Sequence, residues 1–161
     1  MKTIDLGILL KNFTDYFKKI YKKDCYVIGI QSGGNLLINH LKNETGLKEC
    51  GHINISHHRD DLSISGFQVK EKNTRITQDI NNKTIILIDD VLHTGRTVRA
   101  AINEIFDFGR PEKIILLVLI DRAGKELPIN ADFAAHKIDK SFKGIINLVD
   151  SKGKLELLIE K

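Results

Sequence analysis

The sequence predicts an α/β fold built on a mainly parallel sheet, and three observations predict it. Short apolar runs rich in Ile, Leu and Val recur at Tyr26–Ile30, Thr84–Ile88 and Lys113–Ile120. Amphipathic patterns of helical period precede or separate them. The apolar runs are continuous rather than alternating, as in strands covered by helices on both faces. Strands alternating with helices imply crossover connections, hence parallel pairing.

The elements follow in order. Leu9, Phe13, Tyr16, Phe17 and Ile20 share one face of a helix expected from about Asp5 to Lys22. Lys18, Lys19, Lys22 and Lys23 gather at its end, where cations complement the helix dipole. After strand Tyr26–Ile30, Gln31-Ser32-Gly33-Gly34 breaks the run, and Leu36, Leu37 and Leu41 mark a short helix ending near Gly46. Ile53 and Ile55 alternate with His52, Asn54 and Ser56 as in a half-exposed strand. From His58 to Thr77 the chain is polar and poorly periodic, the mark of a functional loop or a hairpin. Strand Thr84–Ile88 leads to a helix over Thr97–Phe108, with Val98, Ala101, Ile102 and Ile105 on one face and Gly109 and Pro111 as its stop. Strand Lys113–Ile120 follows. Asp121–Phe142 reads as irregular, and Ile145–Val149 with Leu155–Ile159 as a terminal hairpin around Asp150-Ser151-Lys152-Gly153.

At 161 residues the chain suits one domain with a core of its own. Its 42% hydrophobic and 29% charged residues are ordinary for a globular protein. No apolar run approaches the roughly 20 residues of a membrane span, and the first residues carry no apolar leader, so a cytoplasmic, membrane-free protein is expected. Cys25 and Cys50 are expected as buried reduced thiols. A formal charge of +4 suits anionic small molecules or nucleic acid without separating the two. His52, His57 and His58 do not share a face of an alternating strand, so no protein-held metal is expected there.

The chemistry concentrates between Ile85 and Thr97. An apolar strand ends in two carboxylates, Asp89 and Asp90, followed by Val91, Leu92 and the hydroxyl-bearing turn His93-Thr94-Gly95-Arg96-Thr97 at the start of a helix. Open α/β sheets bind ligands beyond the carboxyl ends of their strands. Backbone N–H groups and the partial positive charge of a helix N-terminus hold an anion there, with Thr94 and Thr97 as further donors and Gly95 permitting close approach. A phosphate so held sets a ribose beside the acids. Adjacent strand residues point to opposite faces, so both acids reach one ligand only where the strand end splays. Neither G-x-x-x-x-G-K-[ST] nor G-x-G-x-x-G occurs.

Ile85–Thr97 resembles the phosphoribosyl-pyrophosphate (PRPP) signature of type I phosphoribosyltransferases. Val91–Ala101, Arg59-Asp60-Asp61-Leu62-Ser63, Gly109-Arg110-Pro111, Asp121-Arg122, Glu126-Leu127-Pro128-Ile129 and Ala131-Asp132-Phe133 resemble the PyrR family of pyrimidine operon attenuators and uracil phosphoribosyltransferases, in that family's order. The resemblance implies the type I phosphoribosyltransferase fold, a mainly parallel sheet flanked by helices, with a small hood at about residues 121–142 plus the terminal hairpin, and a flexible lid loop. It implies pyrimidine salvage: uracil and PRPP giving UMP and pyrophosphate with Mg²⁺, in a homodimer or higher homo-oligomer. Asp89, Asp90, Val91, Leu92, His93, Thr94, Gly95, Arg96 and Thr97 would bind PRPP, Asp89 and Asp90 through the ribose hydroxyls and the Thr94–Thr97 loop through the 5′-phosphate, and Gln31, Ser32, Gly33 and Gly34 would hold the pyrophosphate. Arg59 would act from the base of the lid; Arg122 and Phe133 would belong to the nucleobase hood. Mg²⁺ would arrive with PRPP, since it prefers substrate oxygens and waters.

The chain departs from that pattern in three places. Gly33 stands where the family has Arg, and one transition-state donor is worth roughly 3–4 kcal/mol; the Gly-Gly pair suits an unusual backbone such as a non-proline cis bond. His93 stands where pyrimidine relatives have Tyr and purine enzymes Asp, so it is either an acid/base group or a loop residue serving through its backbone. Gly124 and Asn130 replace expected His and Arg among the basic residues that mRNA-binding members use, although Lys125 keeps a charge. Fewer phosphate contacts mean weaker RNA binding. Three other readings therefore stand beside uracil transfer: an mRNA-binding attenuator with weak or no catalysis, a phosphoribosyltransferase for another base, and a ligand-sensing pseudoenzyme.

Overall fold

A computed structural model describes residues 4–55 and 74–160. The order of elements is α1 (Leu6–Ile20), β1 (Tyr26–Ile30), α2 (Gly33–Thr45), β2 (Cys50–Ile53), β3 (Thr84–Leu92), α3 (Arg96–Phe108), β4 (Lys113–Arg122), β5 (Phe133–Ile138), β6 (Ile145–Ser151) and β7 (Lys154–Glu160). Five strands form a wholly parallel sheet in the order β2-β1-β3-β4-β5, and β6 and β7 form a separate antiparallel pair. Parallel neighbours need crossovers, which α2 and α3 supply.

Alternation along the central strands sorts the core into two layers. Ile86 and Ile88 of β3 and Leu117 and Leu119 of β4 pack with α1, α2 and the hairpin. Ile85 and Leu87 of β3 and Leu116 and Val118 of β4 face α3, through Val98, Ala101 and Ile105. Each such side chain taken out of water stabilises the fold by about 1.5–3 kcal/mol. Asp5 caps α1, its Oδ1 accepting from Ile8 N–H at 3.1 Å. Gly46 ends α2 with φ of 72°, the left-handed conformation glycine adopts without strain. Lys152 and Gly153, at φ of 55° and 85°, make the tight β6–β7 turn.

Four expectations need correction. The strand expected to stop at Ile88 runs on to Leu92, because β4 is one residue longer and stays paired with it as far as Leu92 and Asp121. The strand expected around Ile53 and Ile55 is Cys50–Ile53, although both isoleucines are buried as the alternation requires. The stretch read as irregular, 121–142, contains β5. Phe-Ala-Ala-His-Lys-Ile carries little β-propensity of its own, and pairing with β4 decides its conformation. Cys25 and Cys50, expected buried, are both partly exposed free thiols. The lid expectation, with Arg59, His57 and His58, lies outside the described residues. Among the described residues no helix is long and apolar enough to cross a membrane.

Candidate active site

The carboxyl ends of β1 and β3 and the free edge of β6 enclose a cleft of about 740 Å³. Gln31, Ser32 and Gly33 form one wall; Asp89, Asp90, Val91, His93, Thr94 and Thr97 form the floor and a second wall. Residues Lys143 to Val149 form the roof, and Arg122 closes one side. A larger hollow of about 1130 Å³ lies between α1, α2 and β7, away from the acidic pair and the threonine turn.

Asp89 and Asp90 occupy this cleft from opposite faces of the sheet. Asp89 continues the row of Ile85 and Leu87 that faces α3, whereas Asp90 continues the row of Ile86 and Ile88 that faces α2 and the hairpin. Asp89 is 4% exposed, and its Oδ1 accepts from Asp90 N–H at 3.0 Å. The carboxylate of Asp90 accepts from Val91 N–H on Oδ1 at 2.9 Å and from Leu148 N–H of β6 on Oδ2 at 2.8 Å. No splay of the strand is needed, because the cleft wraps over the end of β3.

The turn after β3 is held from outside. Glu126 and Leu127 N–H both donate to the Thr94 carbonyl, at 3.0 and 3.2 Å. Gly95 has φ of 93°, and a Cβ there would lie 3.4 Å from the Cβ atoms of Leu127 and Ile129. The positive φ is what calls for glycine, and the neighbours sit at packing distance. The stretch Glu126–Ile129 thus braces the turn after β3. Helix α3 begins one residue earlier than expected, at Arg96, so the turn's amides sit at its N-terminus, where a phosphate is favoured.

The wall opposite is equally constrained. The Gln31–Ser32 peptide bond is cis. A Cβ on Gly34 would meet the Ile88 carbonyl oxygen at 2.2 Å, so only glycine lets α2 pack this closely on β3. A Cβ on Gly33 would lie 2.1 Å from Cγ of Asp90. A side chain at 33 and Asp90 in its present position exclude one another, which gives the departure at Gly33 a physical reason.

Arg122 is 8% exposed at the end of β4; it lies over the Phe142 ring at 5.0 Å and donates to the Phe142 carbonyl at 3.3 Å. Lys125 is bonded to the Asp121 carboxylate and to the Arg122 carbonyl. Burial, then the Arg122 and Lys125 cations, hold the His93 imidazole below its ordinary 6.5, against the opposing effect of Glu126. Phe133 takes a different place from the one expected. It opens β5 and stacks on Tyr16 of α1 at 4.2 Å, and it does not line the cleft. The terminal hairpin was expected at the hood, but the residues of it and before it that line the cleft were not singled out: Leu148, whose backbone N–H meets Asp90, with Lys143 and Asn147. Backbone donors leave no residue-type signal.

Among the described residues no three His, Cys, Asp or Glu side chains group as metal ligands. Both oxygens of Asp90 are already engaged by backbone N–H groups. This donor set fits a Mg²⁺ ion carried on the oxygens of a diphosphate, with at most a carboxylate from the protein.

The phosphoribosyl transferase domain family matches residues 5–152. The chain belongs to this family. Among curated relatives, a bifunctional protein PyrR of Ralstonia nicotianae is 44% identical over 115 residues, covering 71% of this chain and 66% of its own. The match thus spans just under two thirds of that relative's length. The bifunctional protein PyrR of Caldicellulosiruptor bescii is 44% identical over 128 residues, covering 76% and 70%. Among solved structures, a hypoxanthine-guanine phosphoribosyltransferase of Bacillus anthracis superposes with a TM-score of 0.66 at 16% identity, covering 84% of this chain and 82% of that one. A purine phosphoribosyltransferase of Pyrococcus horikoshii gives 0.62 at 19% identity, covering 82% and 81%. These structures share the fold: a type I phosphoribosyltransferase sheet flanked by helices.

Proposed function

We propose that the chain transfers the phosphoribosyl group of PRPP to uracil, giving UMP and pyrophosphate in pyrimidine salvage. The observation that carries this reading is the single cleft in which the acids of β3, the threonine turn of α3 and the Gln31–Gly33 wall meet beneath β6. The relatives named PyrR support a pyrimidine over a purine base.

In this reading the amides and hydroxyls of Thr94 to Thr97 bind the 5′-phosphate, and Asp89 and Asp90 accept from the ribose hydroxyls. Displacement at the anomeric carbon builds positive charge on the ribose and negative charge on the departing pyrophosphate. The buried Asp89 carboxylate suits the first. The Ser32 to Gly34 backbone, at the start of α2, suits the second, with Arg59 a further donor. Mg²⁺ bound with PRPP neutralises the leaving group. The β6 roof excludes water, so that PRPP is transferred rather than hydrolysed. Burial and the nearby Arg122 and Lys125 cations disfavour a protonated His93, which suits a wall residue better than a proton donor.

Purified protein with PRPP, Mg²⁺ and labelled uracil should yield UMP, and hypoxanthine or guanine should remain unchanged. Purine turnover would overturn the choice of base. A second reading, added RNA binding, is supported by the word bifunctional in the relatives' names. Against it, Lys125 is tied to Asp121 and Arg96 to Glu126 at 2.7 Å, so these two cations are already partnered. A gel shift on the chain's own pyrimidine-operon leader over a salt series tests it; no shift at low salt removes it.

A further inference from the structure

We infer that Asp90 is a positioning residue that couples sugar binding to the hood: the carboxylate that now accepts Leu148 N–H is taken over by the ribose, which frees the edge of β6 for the base. This rests on the reading that the cleft takes PRPP. Three observations carry it.

The carboxylate is flanked on two sides by backbone. Gly33 closes its rear, where even a Cβ would be 2.4 and 2.5 Å from its oxygens. Oδ1 is held by Val91 N–H within the strand. A sugar hydroxyl that reaches Oδ2 competes with the Leu148 N–H bonded there at 2.8 Å.

The bonded amide lies on the unpaired edge of its strand. In an antiparallel pair, alternate residues direct both N–H and C=O toward the partner and the others direct both away. Leu148 is registered with Leu157, yet its N–H points to Asp90. Ile146, two residues earlier, therefore turns its backbone groups to the same side, and both residues line the cleft. Displacing Asp90 from Leu148 frees that N–H beside the outward backbone groups of Ile146, and together they suit the lactam edge of a flat heterocycle.

The hairpin is not part of the main sheet. Packing of one face, through Ile146 and Leu148, seats it on the α2 side, and the Asp90 bond joins its edge to β3. Loss of one bond can thus change the edge without unfolding the element.

Amide exchange and chemical shifts of ¹⁵N-labelled wild-type protein, with and without saturating PRPP and Mg²⁺, test the coupling. Leu148 N–H should exchange about tenfold faster or more with PRPP bound, while Val91 N–H stays protected. Asp90→Ala should show fast Leu148 exchange from the start, unchanged by PRPP; the wild-type titration decides the matter even if this variant does not fold. Shifts in the Thr94–Thr97 amides with Leu148 still fully protected would overturn the coupling and leave the PRPP reading intact. Silence of those amides as well would overturn both.

Discussion

The two faces of the central sheet solve different problems with the same alternating strands. On the α3 face, Ile85 and Leu87 meet one amphipathic helix, and the row ends in Asp89, buried before the Thr94–Thr97 turn. On the other face, Ile86 and Ile88 meet α1, α2 and the hairpin, and the row ends in Asp90, tied to a strand outside the sheet. Adjacent acids thereby acquire different duties. One belongs to a rigid frame, the other to a junction between the frame and the hood.

Substitutions on the α3 face should act on the fold first. Leu87→Ala, at a fully buried position, should lower stability by roughly 2–5 kcal/mol, read by denaturant unfolding. Leu158→Ser on the outer face of the hairpin, where Leu158 is 46% exposed, should change it by about 0.5 kcal/mol or less. Equal losses would erase the distinction between frame and hood.

At the phosphate turn the effect should fall on the ligand and not on the fold. Thr97→Val should weaken PRPP binding by about 1 kcal/mol, the worth of one hydrogen bond, with an unchanged melting temperature. Unaltered kinetics would mean that the Thr97 hydroxyl never meets phosphate.

The smallest effect concerns pH. His93 has a folded-state pKa below 6.5, so the unfolded chain binds the proton more readily. Stability should therefore rise as pH rises from the depressed folded value to about 6.5, and level off above it. His93→Asn should remove that part of the slope in melting curves between about pH 5 and pH 7. A slope that survives the substitution belongs to other groups.

Much of this was legible in the sequence. The continuous apolar runs of β1, β3 and β4 announced a sheet covered on both faces, and the run from Ile85 to Thr97 announced a strand ending in paired acids and a turn into a helix. What stayed hidden has physical causes. Strand β5 has weak intrinsic preference and is made by its neighbour. The duty of Asp90 depends on Leu148, 58 residues away, through a backbone N–H that any residue but proline would offer. Phe133 carried an aromatic signal that fitted a hood, but a ring beside α1 satisfies the same signal as core packing. The exclusion between Gly33 and Asp90 appears only when α2 is set against β3.

The most direct measurement is calorimetric titration of PRPP with Mg²⁺ into the wild-type protein and into Asp89→Asn. The account predicts one saturable site in the wild type and an affinity weaker by about tenfold or more in the variant, with melting temperatures alike. No heat in the wild type, or equal affinity in both, would contradict it.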